Sequence, residues 1–185
     1  GYVARQLRTW YGSWTASAEY ADYDDPRVHA LHEQFNARLP EQGPARVVHG
    51  DFGLHNCMFA PDGSVTAVLD WEIATLGDPL ADFAYALNAW GQPGEPEPLA
   101  PEGATQAPGF VQPQELIDRY AERTGADLSE LDVYVAFNHF KTSCILHGVY
   151  ARYRMGQKST EGVDMDGLRS RMIGTLDRAA RLLDA

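Results

Sequence analysis

The chain has 185 residues, 44% of them hydrophobic, enough for one globular domain with a core of its own. Its formal net charge of -11 argues against a general binder of nucleic-acid backbone, because that binding runs on Lys and Arg. Cys57 and Cys144 are too few for a disulfide scaffold, and no apolar run approaches the roughly 20 residues that span a bilayer.

The acidity fits a solvated surface and is compatible with cationic or small neutral ligands. Both cysteines sit in apolar runs and are expected to be small buried hydrophobes in a reducing cytoplasm. Gly1-Tyr2-Val3-Ala4-Arg5 carries no signal-peptide pattern, and there is no initiator Met, so a piece of a longer protein is expected.

From Tyr2 to about Ala18, the stripe Val3, Leu7, Trp10 and Trp14 predicts a helix with one buried face. Asp25-Pro26 opens a second: Asp suits the N-cap and Pro the first helical position. Its stripe is Val28, Leu31, Phe35 and Leu39, while His29 and His32 lie off it and should face solvent. After a turn-rich link, Arg46-Val47-Val48 is a short extended run. Cys57-Met58-Phe59 and Val65 to Leu69 are two strand candidates joined by Pro61, Asp62 and Gly63, a hairpin.

Asp78-Pro79 repeats the helix-opening pattern, with Leu80, Phe83, Ala84 and Leu87 to be buried. Gly91 to Pro113, rich in Pro, Gly and Glu, reads as a long surface loop. A helix from about Gln114 to Arg123 buries Leu116, Ile117 and Tyr120 and stops at Gly125. Ser129 and Asp132 resemble a capping box. The helix beyond, to about Met155, is apolar on several faces (Val135, Phe137, Phe140, Cys144, Ile145, Val149) and is read as central. His139 and His147 on it are expected to be buried and hydrogen-bonded. A last helix from about Asp166 buries Leu168, Ile173, Leu176 and Leu183. The sum is an α+β domain, 1–185, mostly helical with one small hairpin and no internal repeat.

The residues able to do chemistry concentrate between Val47 and Tyr85, each at the end of an apolar run, where a fold presents functional side chains. Asp51 and Asn56 share one loop, and Asp70 ends the second hairpin strand. Because a hairpin brings its ends together, Asn56 and Asp70 become neighbours. One carboxylate and one amide oxygen suit Mg²⁺, which fills its remaining positions with water and substrate phosphates. Asp51 would then stand close by, free to take a proton from a substrate hydroxyl. That arrangement meets the needs of phosphoryl transfer.

His49-Gly50-Asp51 with Asn56, then Leu69-Asp70-Trp71-Glu72, then Gly77-Asp78-Pro79-Leu80-Ala81-Asp82, together resemble the aminoglycoside phosphotransferase family. Within it the pattern is most similar to the branch associated with acyl-CoA dehydrogenases. The spacing is also similar to the protein-kinase catalytic loop, with Asp70 in the place of the D-F-G aspartate. The resemblance implies a protein-kinase-like C-terminal lobe that uses ATP (or GTP) and Mg²⁺ to phosphorylate a small-molecule hydroxyl, aminoglycoside-like or metabolic. It implies Asp51 as catalytic base, Asn56 and Asp70 as metal and nucleotide ligands, His49 as a fixer of the loop, and Asp82 as a brace beneath it. Glu72, in place of the D-F-G glycine, and Asp78 are possible further site residues.

No Gly-rich phosphate loop and no V-A-I-K lysine are present; Lys141 and Lys158 are the only lysines. The chain is therefore expected to work with an N-terminal nucleotide lobe and to be inactive without it. It is expected to bind neither nucleic acid nor membrane. Two other readings stand beside this one: a pseudokinase or interaction domain, and a metal-dependent phosphoesterase.

Overall fold

The structure is a computed structural model that describes residues 1–90 and 105–184. The chain divides into two compact units, one made of Gly1–Glu41 with Ala136–Ala185, the other of Gln42–Val135.

In the first unit, α1 (Tyr2–Ala21) and α2 (Pro26–Arg38) bury the predicted stripes, with Leu7, Trp14, Val28 and Phe35 fully enclosed. Trp10 and Leu39 are only half-buried; the Trp10 indole N–H donates to Gln6 Oε1 at 2.8 Å. The Asp25 carboxylate caps α2 through the Arg27 N–H at 3.0 Å, and the hydrogen bond from the Arg27 side chain holds its pKa down to about 2. His29 and His32 are half-exposed off the stripe and also pack on α1: the Tyr11 hydroxyl pairs with His29 Nδ1 at 3.0 Å and its ring stacks on His32 at 3.7 Å.

The 24 residues Leu131–Arg154 form α5, and Met165–Asp184 form α6. Phe35 meets Phe137 and Phe140 edge to face, at 5.9 and 5.5 Å. Val135, Ile145 and Val149 are half-buried. On α6 the stripe is Leu168, Met172, Thr175, Leu176, Ala179 and Leu183. Met172 takes the buried place expected of Ile173, and its carbonyl accepts from the Ser143 hydroxyl at 2.9 Å.

His147 is buried as expected: it stacks on Trp14 at 3.8 Å, pairs with the Ser17 hydroxyl at 2.8 Å and donates from Nε2 to the Tyr23 carbonyl at 2.9 Å. His139 is equally buried, but neither ring nitrogen has a hydrogen-bond partner among the described residues. Burial, with Arg178 and Arg181 nearby, pushes its pKa down to about 3. An unfolded histidine titrates near 6.5, so as pH falls below about 6.5 the unfolded chain takes up a proton that the folded one refuses. Stability from this group is full above that value and lost progressively toward pH 3. His139→Leu should therefore shrink the difference in urea midpoint between pH 7.5 and pH 5; an unchanged difference would refute it.

In the second unit, two antiparallel pairs form. β1 (Arg46–Val48) pairs with β4 (Thr75–Gly77), Val47 opposite Leu76; β2 (Cys57–Phe59) pairs with β3 (Val65–Val68), Cys57 opposite Val68. The β2–β3 hairpin was legible in the sequence, whereas β4 was not: three residues carry no period, and their extended form comes from pairing with β1. Cys57 is half-buried rather than buried, its thiol donating to the Gly53 carbonyl at 3.4 Å.

α3 (Pro79–Leu87) buries Ala81, Ala84 and Leu87. Leu80 and Phe83, expected inside, are half-buried, because Phe83 instead stacks on Tyr120 of α4 (Pro113–Thr124) at 4.0 Å. Leu116, Ile117 and Tyr120 are likewise half-buried, and Gly125 ends α4 in the left-handed conformation. The Ser129–Asp132 box does not form; the Ser129 N–H donates to Asp127 at 2.9 Å, and α5 starts at Leu131. Of the long loop, residues 91–104 lie outside the described residues. Its described end is tied to α3: Thr105 donates to the Ala89 carbonyl at 2.8 Å and Trp90 to that of Val111 at 2.9 Å. No described helix is long and apolar enough to cross a membrane.

Candidate active site

The polar loop between β1 and β2 begins at His49, which is 2% exposed. Its Nε2 donates to the Leu69 carbonyl at 2.7 Å, and its Nδ1 accepts from the Asp51 N–H at 3.3 Å. These two bonds settle the tautomer and connect the loop to the end of β3. The ring also lies 4.8 Å from that of Trp71. His49 is thus a strut between Asp51 and the corner that carries Asp70.

Gly50 holds φ +88°, and a Cβ there would meet the Ile73 side chain at 3.2 Å. Only glycine takes this turn without strain. The turn leaves the N–H groups of His49 and Gly50 pointing the same way, and the Asp82 carboxylate of α3 accepts both, at 2.6 and 2.8 Å. A carboxylate in the first turn of α3 also suits the positive end of the helix dipole.

Asp51 itself is one-third exposed at its side chain. Asn56, at the end of a short 3-10 turn over Leu54–Asn56, is buried, and its Nδ2 donates to the Asp51 carbonyl at 2.8 Å and toward Asp51 Oδ2 at 3.4 Å. Spending the amide nitrogen on Asp51 leaves Oδ1 as the oxygen offered outward. The hairpin ladder then continues one rung past β2–β3: the Leu69 N–H donates to the Asn56 carbonyl at 2.8 Å. Asp70 follows immediately, exposed, with φ 65° and ψ 48°. Left-handed backbone is uncommon outside glycine, and aspartate is among the side chains that tolerate it. The ladder therefore sets the backbone of Asn56 beside Leu69, one residue before Asp70; an amide oxygen and a carboxylate are both hard donors of the kind Mg²⁺ accepts. Among the described residues no group of three or more His, Cys, Asp or Glu forms a metal cluster.

The remaining candidates separate. Asp78 is buried; one oxygen accepts from the Leu80 N–H at 3.0 Å and the other from the Tyr134 hydroxyl at 2.7 Å. These two bonds give Asp78 a capping and packing role in the fold. Glu72 is exposed, in the short turn Trp71–Ile73, and makes no hydrogen bond or ion pair among the described residues. His55, whose exposed ring lies 3.5 Å from Asp51 Oδ2, received no role from the sequence. Nor did Tyr85 on α3; burial first, and then the Asp51 carboxylate, push the pKa of its hydroxyl up. Its position three residues after Asp82 on one helix was the available signal.

Behind the loop, a cavity of about 510 Å³ lies against α3 and α4. His49, Phe52, Trp71, Phe83 and Tyr120 line it, with Arg119 and Arg123 on α4; Asp51, Asn56 and Asp70 do not.

The model of the phosphotransferase enzyme family (APH) matches residues 1–122. Acyl-CoA dehydrogenase family member 11 of Gallus gallus is 35% identical over 171 residues, covering 87% of this chain and 21% of that protein. The Homo sapiens protein of the same name is 34% identical, with the same coverage. Acyl-CoA dehydrogenase family member 10 of Mus musculus is 35% identical over 90% of this chain and 16% of its own length. The chain thus spans about a fifth of these relatives, which are of the branch the motifs resembled. A solved structure, titled a "putative aminoglycoside phosphotransferase" from Ralstonia eutropha JMP134, superposes with a TM-score of 0.72 at 29% identity, over 98% of this chain and 56% of that one. The mostly helical, kinase-like fold expected from the sequence is the fold of this neighbour. The chain belongs to the aminoglycoside phosphotransferase family of phosphotransferase enzymes.

Proposed function

We propose that the chain is the catalytic lobe of a Mg²⁺-dependent kinase that moves the terminal phosphoryl group of ATP (or GTP) to a hydroxyl of a small molecule, aminoglycoside-like or metabolic. The observation that carries the reading is the doubly tied loop: Asp82 holds its backbone and His49 ties it to the Asp70 corner, so one proton acceptor and two hard oxygens share one rigid frame. Asp51 accepts the proton of the acceptor hydroxyl as its oxygen bonds to phosphorus and the nucleoside diphosphate leaves. Asn56 and Asp70 would hold Mg²⁺, which when bound neutralises charge on the phosphates.

The cations that anchor those phosphates are to come from an N-terminal lobe of the same protein. Residues 42–135 contain no lysine, and their arginines are Arg46, Arg119 and Arg123. Alone, the chain should bind nucleotide weakly and transfer little or no phosphate. Both cysteines are free thiols, which supports a reducing cytoplasm as its place of work.

The test is a phosphate-acceptor screen on the full-length protein, with radiolabelled ATP and GTP, Mg²⁺, and a panel of aminoglycosides and small metabolic alcohols. Transfer that disappears in Asp51→Ala supports the reading. Hydrolysis of phosphoesters by tightly held Zn, Mn or Fe would replace it with a phosphoesterase, and failure to bind nucleotide would replace it with a pseudokinase.

A further inference from the structure

We propose that the cavity against α3 and α4 is a binding site for a small organic anion with an aromatic body, its charge held by Arg119 and Arg123. The inference stands apart from the phosphotransferase reading, because Asp51, Asn56 and Asp70 do not line the cavity.

The helix α4 gives the first reason. Leu116, Arg119, Tyr120 and Arg123 all line the cavity, and their spacing makes them one face of the helix. A helix face turned to an apolar space ordinarily carries apolar side chains throughout, whereas two of these four are guanidiniums. Arg46, Arg119 and Arg123 are the arginines of residues 42–135, a stretch without lysine, so two of its three cations sit at this one cavity. The dipole at the end of α4 accounts for Arg123 in the last turn, but not for Arg119 a turn earlier.

Neither guanidinium is firmly committed elsewhere. Arg123 makes no hydrogen bond or ion pair among the described residues. Arg119 meets Glu115 at 3.7 Å, a long and exposed contact that water weakens. Both side chains are exposed, so they stay hydrated while the cavity is empty and carry no cost of a buried unpaired charge.

The rest of the lining sets the body of the ligand. A volume of about 510 Å³ is that of a site for a drug-sized molecule. Phe83 and Tyr120 stack at 4.0 Å and form part of the wall, with Phe52 and Trp71 beside them. Rings pack on such a wall edge to face or offset. Asp82 also lines the cavity, but its two oxygens accept from the His49 and Gly50 N–H groups, so its charge is turned toward those donors.

Three probes of one shape test the site by calorimetric titration of the full-length protein: biphenylacetate, its neutral amide and biphenylethylamine. The wild type should bind the acid about tenfold more tightly than the amide, the gain from one hydrogen bond to a charged group, and the amine least. Arg119→Gln combined with Arg123→Gln, both at exposed positions, should abolish that preference and leave the affinity for the amide within about twofold. A crystal structure with the acid should place its carboxylate on Arg119 or Arg123 and its rings among Phe52, Phe83 and Tyr120. If the arginine stems only cover the apolar wall, acid and amide bind alike and the proposal falls. It falls also if the double variant keeps the preference or if the acid is found elsewhere. Absence of binding by every probe at about 1 mM, where a ligand of this size should register, overturns it as well.

Discussion

Asp51→Ala in the full-length protein is expected to lower phosphoryl transfer by about 10²–10⁴-fold, the range lost when a positioned base is removed. The expectation follows from how much of the loop serves one carboxylate. Its N–H is held by His49 and its carbonyl by Asn56, while a third of its side chain stays open. Groups so held do not act as general solvated acids; they are kept at one place for one contact. Nucleotide binding should be largely spared, because the proposed function gives the phosphates to Asn56 and Asp70 and not to Asp51. Measured as kcat and as the nucleotide KM, the variant should thus lose the first and keep the second. Full activity in Asp51→Ala would remove the basis of the assignment.

The second large effect belongs to the metal corner. Asp70→Ala is expected to reduce kcat by about 10²–10³-fold, comparable to losing one electrostatic stabiliser of a transition state, and to raise the Mg²⁺ concentration that gives half-maximal rate. Asn56→Ala should do the same and more, because Asn56 also donates to Asp51. The two residues share neighbours, so the double variant should cost less than the sum of the single changes. Titrating the rate against Mg²⁺ for all three variants decides the point. Wild-type Mg²⁺ dependence in Asp70→Ala would show that the corner binds no catalytic metal.

What the sequence disclosed and what it withheld divide along the reach of the interactions. Asp25-Pro26 and Asp78-Pro79 announced two helices because a cap and a fixed φ act within a few residues, and both carboxylates do cap. The β2–β3 hairpin was visible for the same reason. β4 was not, since Thr75–Gly77 is extended only through β1, some thirty positions earlier. Met172 took the place foreseen for Ile173, a shift of one position that a period of 3.6 does not forbid. His139 was expected to find a partner for its ring, and the described residues around it offer none. In the site, placing Asn56 beside Asp70 needed only the rule that a hairpin closes its own ends.

The open face of the β1–β4 pair bears on how the chain behaves in a tube. Val47 and Leu76, opposite each other in the ladder, are 68% and 63% exposed, and Met58, Val65, Trp71 and Ile73 are also more than half exposed. Surfaces of this kind draw molecules together, and what opposes them in the isolated chain is mutual repulsion among molecules that each carry a formal charge of -11. That repulsion is screened by salt and vanishes near the isoelectric point, about 4.8. Light scattering from the isolated chain should show single molecules in dilute buffer at neutral pH and growing clusters as salt is added or the pH approaches that point. Size that ignores both variables would mean the exposed apolar side chains are not sticky. The chain's colloidal stability is then set by its acidic surface, well away from the residues that do its chemistry.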